Sequence, residues 1–158
     1  MAKIPLTVEG AKQLKDELHR LKTVDRPAII TALSDARTHG DLSENAEYAA
    51  AKERQGFIEG RIAEVEAKLA NAMIIDPKLL DADGRCVFGA TVELEDVDST
   101  DVVTYRIVGE DEADIKQGKL SITSPIARAL IGKYPGDQVE VQTPGGVRSF
   151  EIVDVRYE

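Results

Sequence analysis

Two acidic side chains, Asp41 and Glu44, stand three residues apart in a short polar stretch between two segments of helical periodicity. Carboxylate oxygens suit a hard cation such as Mg²⁺, but two of them leave its octahedral shell incomplete. An ion held here would bind weakly until phosphate, water or another protein's acids completed the shell. The same spacing fits a capped helix start, with Asp41 or Ser43 as the N-cap. The two interpretations are compatible, because a cap leaves outer carboxylate oxygens free.

Three more side chains near this stretch are of types that contact nucleic acid. Arg37 falls in the last turn of the first helical segment and Lys52 about two to three turns into the second, and either cation could meet a phosphate. Each also has an ordinary role, Arg37 at a helix C-terminus and Lys52 on a solvated face. Tyr48 follows Glu44 by four residues on the same helix face, where it could pack, stack on a base or orient a ligand.

Both helical segments carry a narrow apolar seam. In the first, Thr7 is a good N-cap, Pro27 predicts a kink near residues 25–26, and Gly40 suits the left-handed position after the helix end. The short connection predicts an antiparallel two-helix coiled coil, with each helix about 43 Å long. Such a slim polar finger is suited to carrying a few groups into a place that a globular body cannot enter. The predicted seam residues are Ala11, Leu14, Leu18, Leu21, Ala28, Ala32 and Ala36, then Phe57 or Ile58, Ile62, Val65, Leu69 and Ala72.

The second half of the chain alternates as β-strands do. Pro144–Gly146 predicts a turn between the last two strands, and Ser124, Pro125 and Gly132 predict the cap, first residue and end of one short helix. The predicted strands start near Ala90, Val102, Val139 and Phe150. The predicted class is therefore α+β, with an antiparallel sheet and one helix in the globular part. The predicted domains are a coiled-coil hairpin over residues 1–76, a linker over 77–84 and the globular domain over 85–158.

Composition argues against several classes of protein. The 158 residues carry a net charge of -9 and 4% aromatics with no Trp, which disfavours binding to duplex backbone through the global field and an aromatic platform for single strands. One cysteine, Cys86, leaves no internal disulfide and no Cys-rich zinc site. The acidic run Glu110–Asp114 fits a solvated turn or a partner contact. Without a long apolar run, we expect a cytoplasmic protein that does not contact membranes.

The stretch Gly40-Asp-Leu-Ser-Glu-Asn-Ala-Glu-Tyr48 resembles the tip motif of the bacterial Gre transcript-cleavage factors. Arg37 and Lys52 match that family's basic patch facing extruded RNA, and the small size of the patch resembles one branch of the family more than the other. Asn45 and Tyr48 are candidates to support the tip. The likeness covers nearly the whole chain in order, and its other segments are Gln55–Ile62, Phe88–Val92, Tyr105–Gly109, Ser124–Arg128 and Thr143–Gly146.

The resemblance implies a coiled-coil hairpin followed by an FKBP-like domain. In this family the globular domain docks on bacterial RNA polymerase at the rim of its secondary channel, and the coiled coil enters that channel. The factor stimulates cleavage of the nascent RNA 3′ end in a backtracked complex by the polymerase's own active site. The resemblance therefore implies an accessory factor and not an enzyme, with no stable small-molecule ligand.

The resemblance also assigns roles to particular positions. Asp41 and Glu44 match the catalytic acids, which hold a second Mg²⁺ jointly with polymerase, so none is expected in the isolated protein. The segment that grips polymerase matches Ser124, Pro125 and Ile126.

Three other functions stay open. A polymerase regulator of the same shape would occupy the channel without promoting cleavage. The FKBP-like domain suggests a peptidyl-prolyl isomerase, although fold is a poor guide to activity and no apolar proline pocket is evident. A coiled-coil chaperone would carry wide apolar patches at its tip, whereas this tip is polar.

Overall fold

The computed structural model describes residues 3–38 and 45–158. These residues form two compact units, a hairpin unit of residues from 12 to 72 and a sheet unit of residues 3–11 with 73–158. No helix in the described ranges is long and apolar enough to cross a membrane.

The hairpin unit pairs two helical arms. Arg26 contacts Glu59 and Arg37 contacts Tyr48, so positions that rise along the first arm fall along the second, and the arms run antiparallel as predicted. The first arm consists of α1 (Val8–Arg20), a π-helical segment (Leu21–Asp25) and α2 (Arg26–Arg37), and the second arm is α3 (Ala46–Ala70). The buried cluster between the arms consists of Leu21, Ile29, Leu33, Ala51, Ile58 and Ile62, with Leu18 and Tyr48 packed against it.

The irregularity predicted from Pro27 is a π-helical segment in the turn before it. The backbone N–H of Arg26 donates to the carbonyl of Leu21, five residues back, where an α-helix would reach back four. Proline has no N–H to donate, and its ring crowds the carbonyl one turn earlier. The wider turn at Leu21–Asp25 relieves that conflict while keeping the arm continuous.

The π-helical segment also shifts the apolar seam of α2. Ile29 and Leu33 are buried, whereas Ala28 and Ala32 are exposed, so the predicted seam was wrong at the two alanines. A π turn holds about one residue more than an α turn, so the first two seam positions after it move one residue along, whereas Ala36 is buried as predicted. In α3, Ile58 is the seam residue, because it is 8% exposed while Phe57 is 71% exposed.

The sheet unit contains a five-stranded sheet in the order β5-β4-β3-β7-β6 and a two-stranded sheet of β1 and β2. All neighbouring strands in the larger sheet are antiparallel except β4 and β5, which are parallel. The sheet is therefore mixed, whereas the sequence predicted an antiparallel sheet. β1 and β2 lie within the segment that the sequence assigns to the hairpin domain. The strands are β1 (Ile4–Thr7), β2 (Ala72–Ile75), β3 (Thr91–Asp96), β4 (Val102–Val108), β5 (Lys119–Ser121), β6 (Gln138–Thr143) and β7 (Gly146–Arg156).

One face of the larger sheet is covered by α4 (Pro125–Leu130), and the α+β class is confirmed. Ala127 and Leu130 of this helix are fully buried with Cys86 and the inward residues of the strands. Burial raises the pKa of the Cys86 thiol to about 12, so this cysteine is a neutral core residue.

A buried polar cluster holds the first turn of α1 within the sheet unit. Thr7 accepts the N–H of Gly10 at 2.9 Å, as predicted for an N-cap, and donates its hydroxyl to Oε1 of Glu112. Glu112 is only 6% exposed, and Nζ of Lys119 lies 3.9 Å from its Oε2. A Cβ at Gly10 would stand 2.6 Å from Oε1 of Glu112, so only glycine admits this approach. The carboxylate thus sits at the positive end of α1.

Candidate functional site

The two predicted catalytic acids, Asp41 and Glu44, lie outside the described residues, as do Ser43 and Gly40. The structure describes the chain on both sides of them, where α2 ends at Arg37 and α3 begins at Ala46. We call the described residues around these two helix ends, from Ala36 to Thr38 and from Asn45 to Lys52, the tip base.

Asn45 joins the two helices at the tip base. Its Oδ1 accepts the backbone N–H of Tyr48 at 3.1 Å, which makes Asn45 the N-cap of α3. Its Nδ2 donates to the carbonyl of Ala36 at 2.6 Å, which satisfies a carbonyl in the last turn of α2. The proposed caps Asp41 and Ser43 were therefore wrong for this helix. Asparagine, aspartate and serine are about equally strong N-cap residues, so the sequence alone gave no signal that singles out Asn45.

Arg37 and Tyr48 contact each other across the hairpin. Nη2 of Arg37 donates to the Tyr48 hydroxyl at 3.4 Å, and Cζ of Arg37 lies 5.7 Å from the centre of the Tyr48 ring. Both distances are near the upper limits for a hydrogen bond and a cation–π contact, and together they place the guanidinium beside the ring. The hydrogen bond from Arg37 is the main cause that lowers the pKa of Tyr48, with smaller help from the charges of Arg37 and Lys52.

Lys52 lies on the exposed face of α3. Its Nζ donates to Oε1 of Gln55 at 3.4 Å, a weak contact that leaves the ammonium open to solvent. Because its charge acts on the Tyr48 hydroxyl, Lys52 and Arg37 contribute to one positive region at the tip base. The sequence did not indicate the contact between Arg37 and Tyr48, since it joins two helices across the turn.

Further along the arms, arginines are paired with glutamates. Arg26 binds both carboxylate oxygens of Glu59 at 2.8 Å, and Arg61 binds both oxygens of Glu17 at 2.6 and 2.8 Å. Within residues 3–38 and 45–158, no acidic side chain pairs with Arg37, and no group of three metal-ligating side chains comes together. Arg37 thus has no acidic partner among those residues, and the tip base carries two cations, Arg37 and Lys52, and one acid, Glu47.

The three predicted docking residues lie at the start of α4. Ser124 is the N-cap, and its Oγ accepts the N–H of Ala127 at 3.2 Å. Ile126 is half-buried and packs against the core of the sheet unit, whereas Pro125 is exposed. Ser124 and Ile126 therefore hold the helix in place, and Pro125 is the residue most available to a partner.

The described residues thus form a helical hairpin with Arg37 and Lys52 near its tip, together with a small sheet unit. Comparisons with known proteins agree along the whole chain. The family model described as "Transcription elongation factor, N-terminal" matches residues 4–74. The model described as "Transcription elongation factor, GreA/GreB, C-term" matches residues 81–157.

Relatives are similar over the full length. Transcription elongation factor GreA of Halorhodospira halophila is 65% identical over 158 residues, which covers 100% of both chains. The protein of that name from Neisseria meningitidis serogroup A is 66% identical over 157 residues, covering 99% of both. Among solved structures, GreA factor homolog 1 (Gfh1) of Thermus thermophilus is 29% identical, with 98% of this chain and 99% of that chain covered and a TM-score of 0.43.

This chain belongs to the GreA/GreB family of transcription elongation factors. The predicted resemblance is confirmed, including the branch of the family with the smaller basic patch, since these relatives are named GreA. Family membership rests on the sequence matches and on the order of the two matched regions, helical hairpin first and sheet domain second.

Proposed function

We propose that this chain stimulates cleavage of nascent RNA by bacterial RNA polymerase when the enzyme has backtracked. The helical hairpin would enter the polymerase secondary channel in the cytoplasm and bring Asp41 and Glu44 to the active centre. The observation that supports this most is the tip base, where two cations with no acidic partner among the described residues stand on either side of an acidic stretch of the sequence. Membership of a family of transcription elongation factors supports RNA polymerase as the binding partner.

The tip acids fit Mg²⁺ by their chemistry. Carboxylates are the ligands this ion prefers, and two of them suit an ion that is shared with another protein rather than held alone. Asp41 and Glu44 would therefore hold Mg²⁺ jointly with polymerase. When bound, the ion would lower the pKa of a water and stabilise charge on the scissile phosphate. The chain's own work is then to deliver two carboxylates, and it should not cleave RNA alone.

The remaining predicted residues serve binding in this proposal. Arg37 and Lys52 would contact phosphates of the extruded RNA 3′ end, with their charges uncancelled by acids of the described hairpin. On the sheet unit, Pro125 would contact polymerase directly, while Ser124 and Ile126 keep α4 capped and packed.

A backtracked elongation complex with labelled RNA and Mg²⁺ tests the proposal. The purified chain should release short 3′ fragments, whereas the chain without polymerase should release none. Asp41→Asn or Glu44→Gln should slow cleavage by about 100-fold or more, because each removes a ligand of the shared ion. Both variants should still compete with the unmodified chain for polymerase.

A matched control comes from the end of α2. Asp35 is an exposed acid two residues before Arg37, and Asp35→Asn changes the net charge as much as the tip variants do. It should leave cleavage unchanged. Full cleavage in both tip variants would instead mean that the two acids are not needed for cleavage, and only the docking role would remain of the proposal.

A further inference from the structure

We propose that Tyr48 is a positioning residue that holds the guanidinium of Arg37 in place for an RNA phosphate without cancelling its charge. The inference rests on the proposed function and adds a residue with a separate task to it. Tyr48 would not touch the reacting atoms. It would act through Arg37 alone.

Tyr48 is a fixed support. Its backbone N–H is bound by Oδ1 of Asn45, and Asn45 is bound in turn to the carbonyl of Ala36 on the other helix. Its ring is half-buried and packs against the apolar cluster between the arms. Backbone and ring are therefore both restrained, and the hydroxyl has a defined position relative to α2.

Arg37 by itself would not be fixed. It is the last residue of α2, it is exposed, and an arginine side chain has many rotamers to lose on binding. The hydroxyl and ring of Tyr48 meet the guanidinium at 3.4 and 5.7 Å and restrict it before RNA arrives. A guanidinium has five N–H donors, and this contact uses one of them, so the edge that binds phosphate stays open.

The partner's chemistry matters as much as its position. A carboxylate would hold Arg37 more tightly, as Glu59 holds Arg26, but it would cancel the charge and compete with phosphate for the same donors. A phenol oxygen and a ring face attract the cation while leaving its charge in place. Tyrosine is thus suited to an arginine that must be both ordered and available.

A double-mutant cycle on cleavage tests the inference. Tyr48→Phe removes the hydroxyl and keeps the ring, and Tyr48→Leu removes both while keeping an apolar side chain for the cluster. We expect cleavage at limiting factor to fall about 3-fold in the first variant and about 10-fold in the second. In an Arg37→Ala background, neither change should lower cleavage further.

Lys52 provides the matched control, because it carries the same charge at the tip base without a hydrogen bond to Tyr48. In a Lys52→Ala background, Tyr48→Phe should cost the same factor as in the unmodified chain. Melting temperatures of all variants should stay within about 2 °C of each other, which separates positioning from a loss of fold.

Three outcomes would overturn the inference. Equal losses from Tyr48→Phe with and without Arg37 would mean that Tyr48 acts on its own, for example by stacking on a base. If Arg37→Ala did not lower the cleavage rate, Arg37 would have no role for Tyr48 to assist. If neither Tyr48 variant lowered the cleavage rate, Tyr48 would not position Arg37. In all three, cleavage that still depends on Asp41 and Glu44 would leave the proposed function intact, whereas its absence in the unmodified chain would refute that function.

Discussion

The two ends of α2 each carry an arginine, and the two arginines are held in different ways. At the first residue, Arg26 donates parallel hydrogen bonds to both carboxylate oxygens of Glu59 at 2.8 Å. These bonds raise the pKa of Arg26 and lower the pKa of Glu59. At the last residue, Arg37 faces the hydroxyl and ring of Tyr48 instead.

The charge of Arg26 thus joins the two helices, whereas the charge of Arg37 stays available to a binding partner. The pair of Arg26 and Glu59 cancels within the hairpin and fixes how the arms align, which is a modest contribution at an exposed site. The pair of Arg37 and Tyr48 keeps a full positive charge at the tip base. The same residue type thus joins the two arms at one end of the helix, and at the other end it would be free to bind RNA as in the proposed function.

Replacing Tyr48 by glutamate should give Arg37 the same kind of partner as Arg26 and should lower the cleavage rate more than the other changes discussed below. Arg37 would then have the kind of partner that Arg26 has, and its charge would be cancelled. Position 48 is the third residue of α3, where glutamate suits the helix dipole and the Asn45 cap, so we expect the fold to persist. Cleavage of backtracked RNA should fall about 10-fold or more, measured as the rate of fragment release.

Two controls isolate the charge in that experiment. Tyr48→Gln gives a side chain of the same length as glutamate without its charge, and it should cost less cleavage than Tyr48→Glu. Glu59→Gln breaks the pair at the other end of α2 and should leave cleavage unchanged while lowering the melting temperature by at most about 4 °C. If the glutamate and glutamine variants at position 48 were equally slow, charge cancellation would not be the cause.

Glu112 extends the comparison to a charge used entirely inside the protein. Its carboxylate lies beneath the first turn of α1, bound by Thr7 and close to Lys119. Gly10→Ala tests this arrangement, because alanine is the better helix former and would normally stabilise a helix. Here the added Cβ would meet Glu112, so we expect a loss of about 1–3 kcal/mol in the free energy of unfolding, measured with urea.

Gly56→Ala is the matched control for that substitution. Gly56 also lies within a helix, but a Cβ there would meet nothing within 4 Å. The free energy of unfolding should therefore rise by up to about 1 kcal/mol. Should both alanine variants stabilise the chain, Glu112 would not be packed against α1 as the structure has it.

Alternation and turn residues were enough to predict the four long strands, the hairpin between the last two and the short helix α4. The helical seam was harder, because Pro27 indicated where the helix is irregular but not that a residue is inserted. Alanines at 28 and 32 kept an apparent seam through the insertion, while the observed seam passes through Ile29, Leu33 and Ala36. The periodicity of apolar residues alone does not reveal that the buried positions shift by one residue after a π-helical segment.

The candidate site shows a similar limit. Asp41, Ser43 and Asn45 all have side chains that cap helices, and local preference could not choose among them. Glu112 lies in an acidic run that is typical of a solvated turn, and its partner Thr7 is 105 residues away in the chain. Only the fold brings such residues together. The roles of Asp41 and Glu44 stay predictions from the family motif.

The smallest predicted effect concerns the ionisation of Tyr48 in the isolated chain. The hydrogen bond from Arg37 lowers the pKa of Tyr48, so the Tyr48 hydroxyl should lose its proton at a lower pH than the hydroxyl of an ordinary tyrosine. Arg37→Gln should raise this pKa towards the ordinary value, and Lys52→Gln should raise it less, because its charge acts without a hydrogen bond. Ring signals of labelled tyrosines, followed by NMR during an alkaline titration, would report each change.

Tyr157 serves as an internal reference in that titration. Burial raises the pKa of Tyr157, and its hydroxyl donates to the carbonyl of Arg85 at 2.6 Å within the sheet unit. Neither tip-base substitution should alter it. Because the lowered pKa favours charged Tyr48 in the fold, its stabilising contribution should be complete above the ordinary pKa and disappear as the pH falls through the lowered one. A Tyr48 titration that is the same with and without Arg37 would show that the two side chains do not meet in solution, and Arg37 would then differ from Arg26 by having no partner at all.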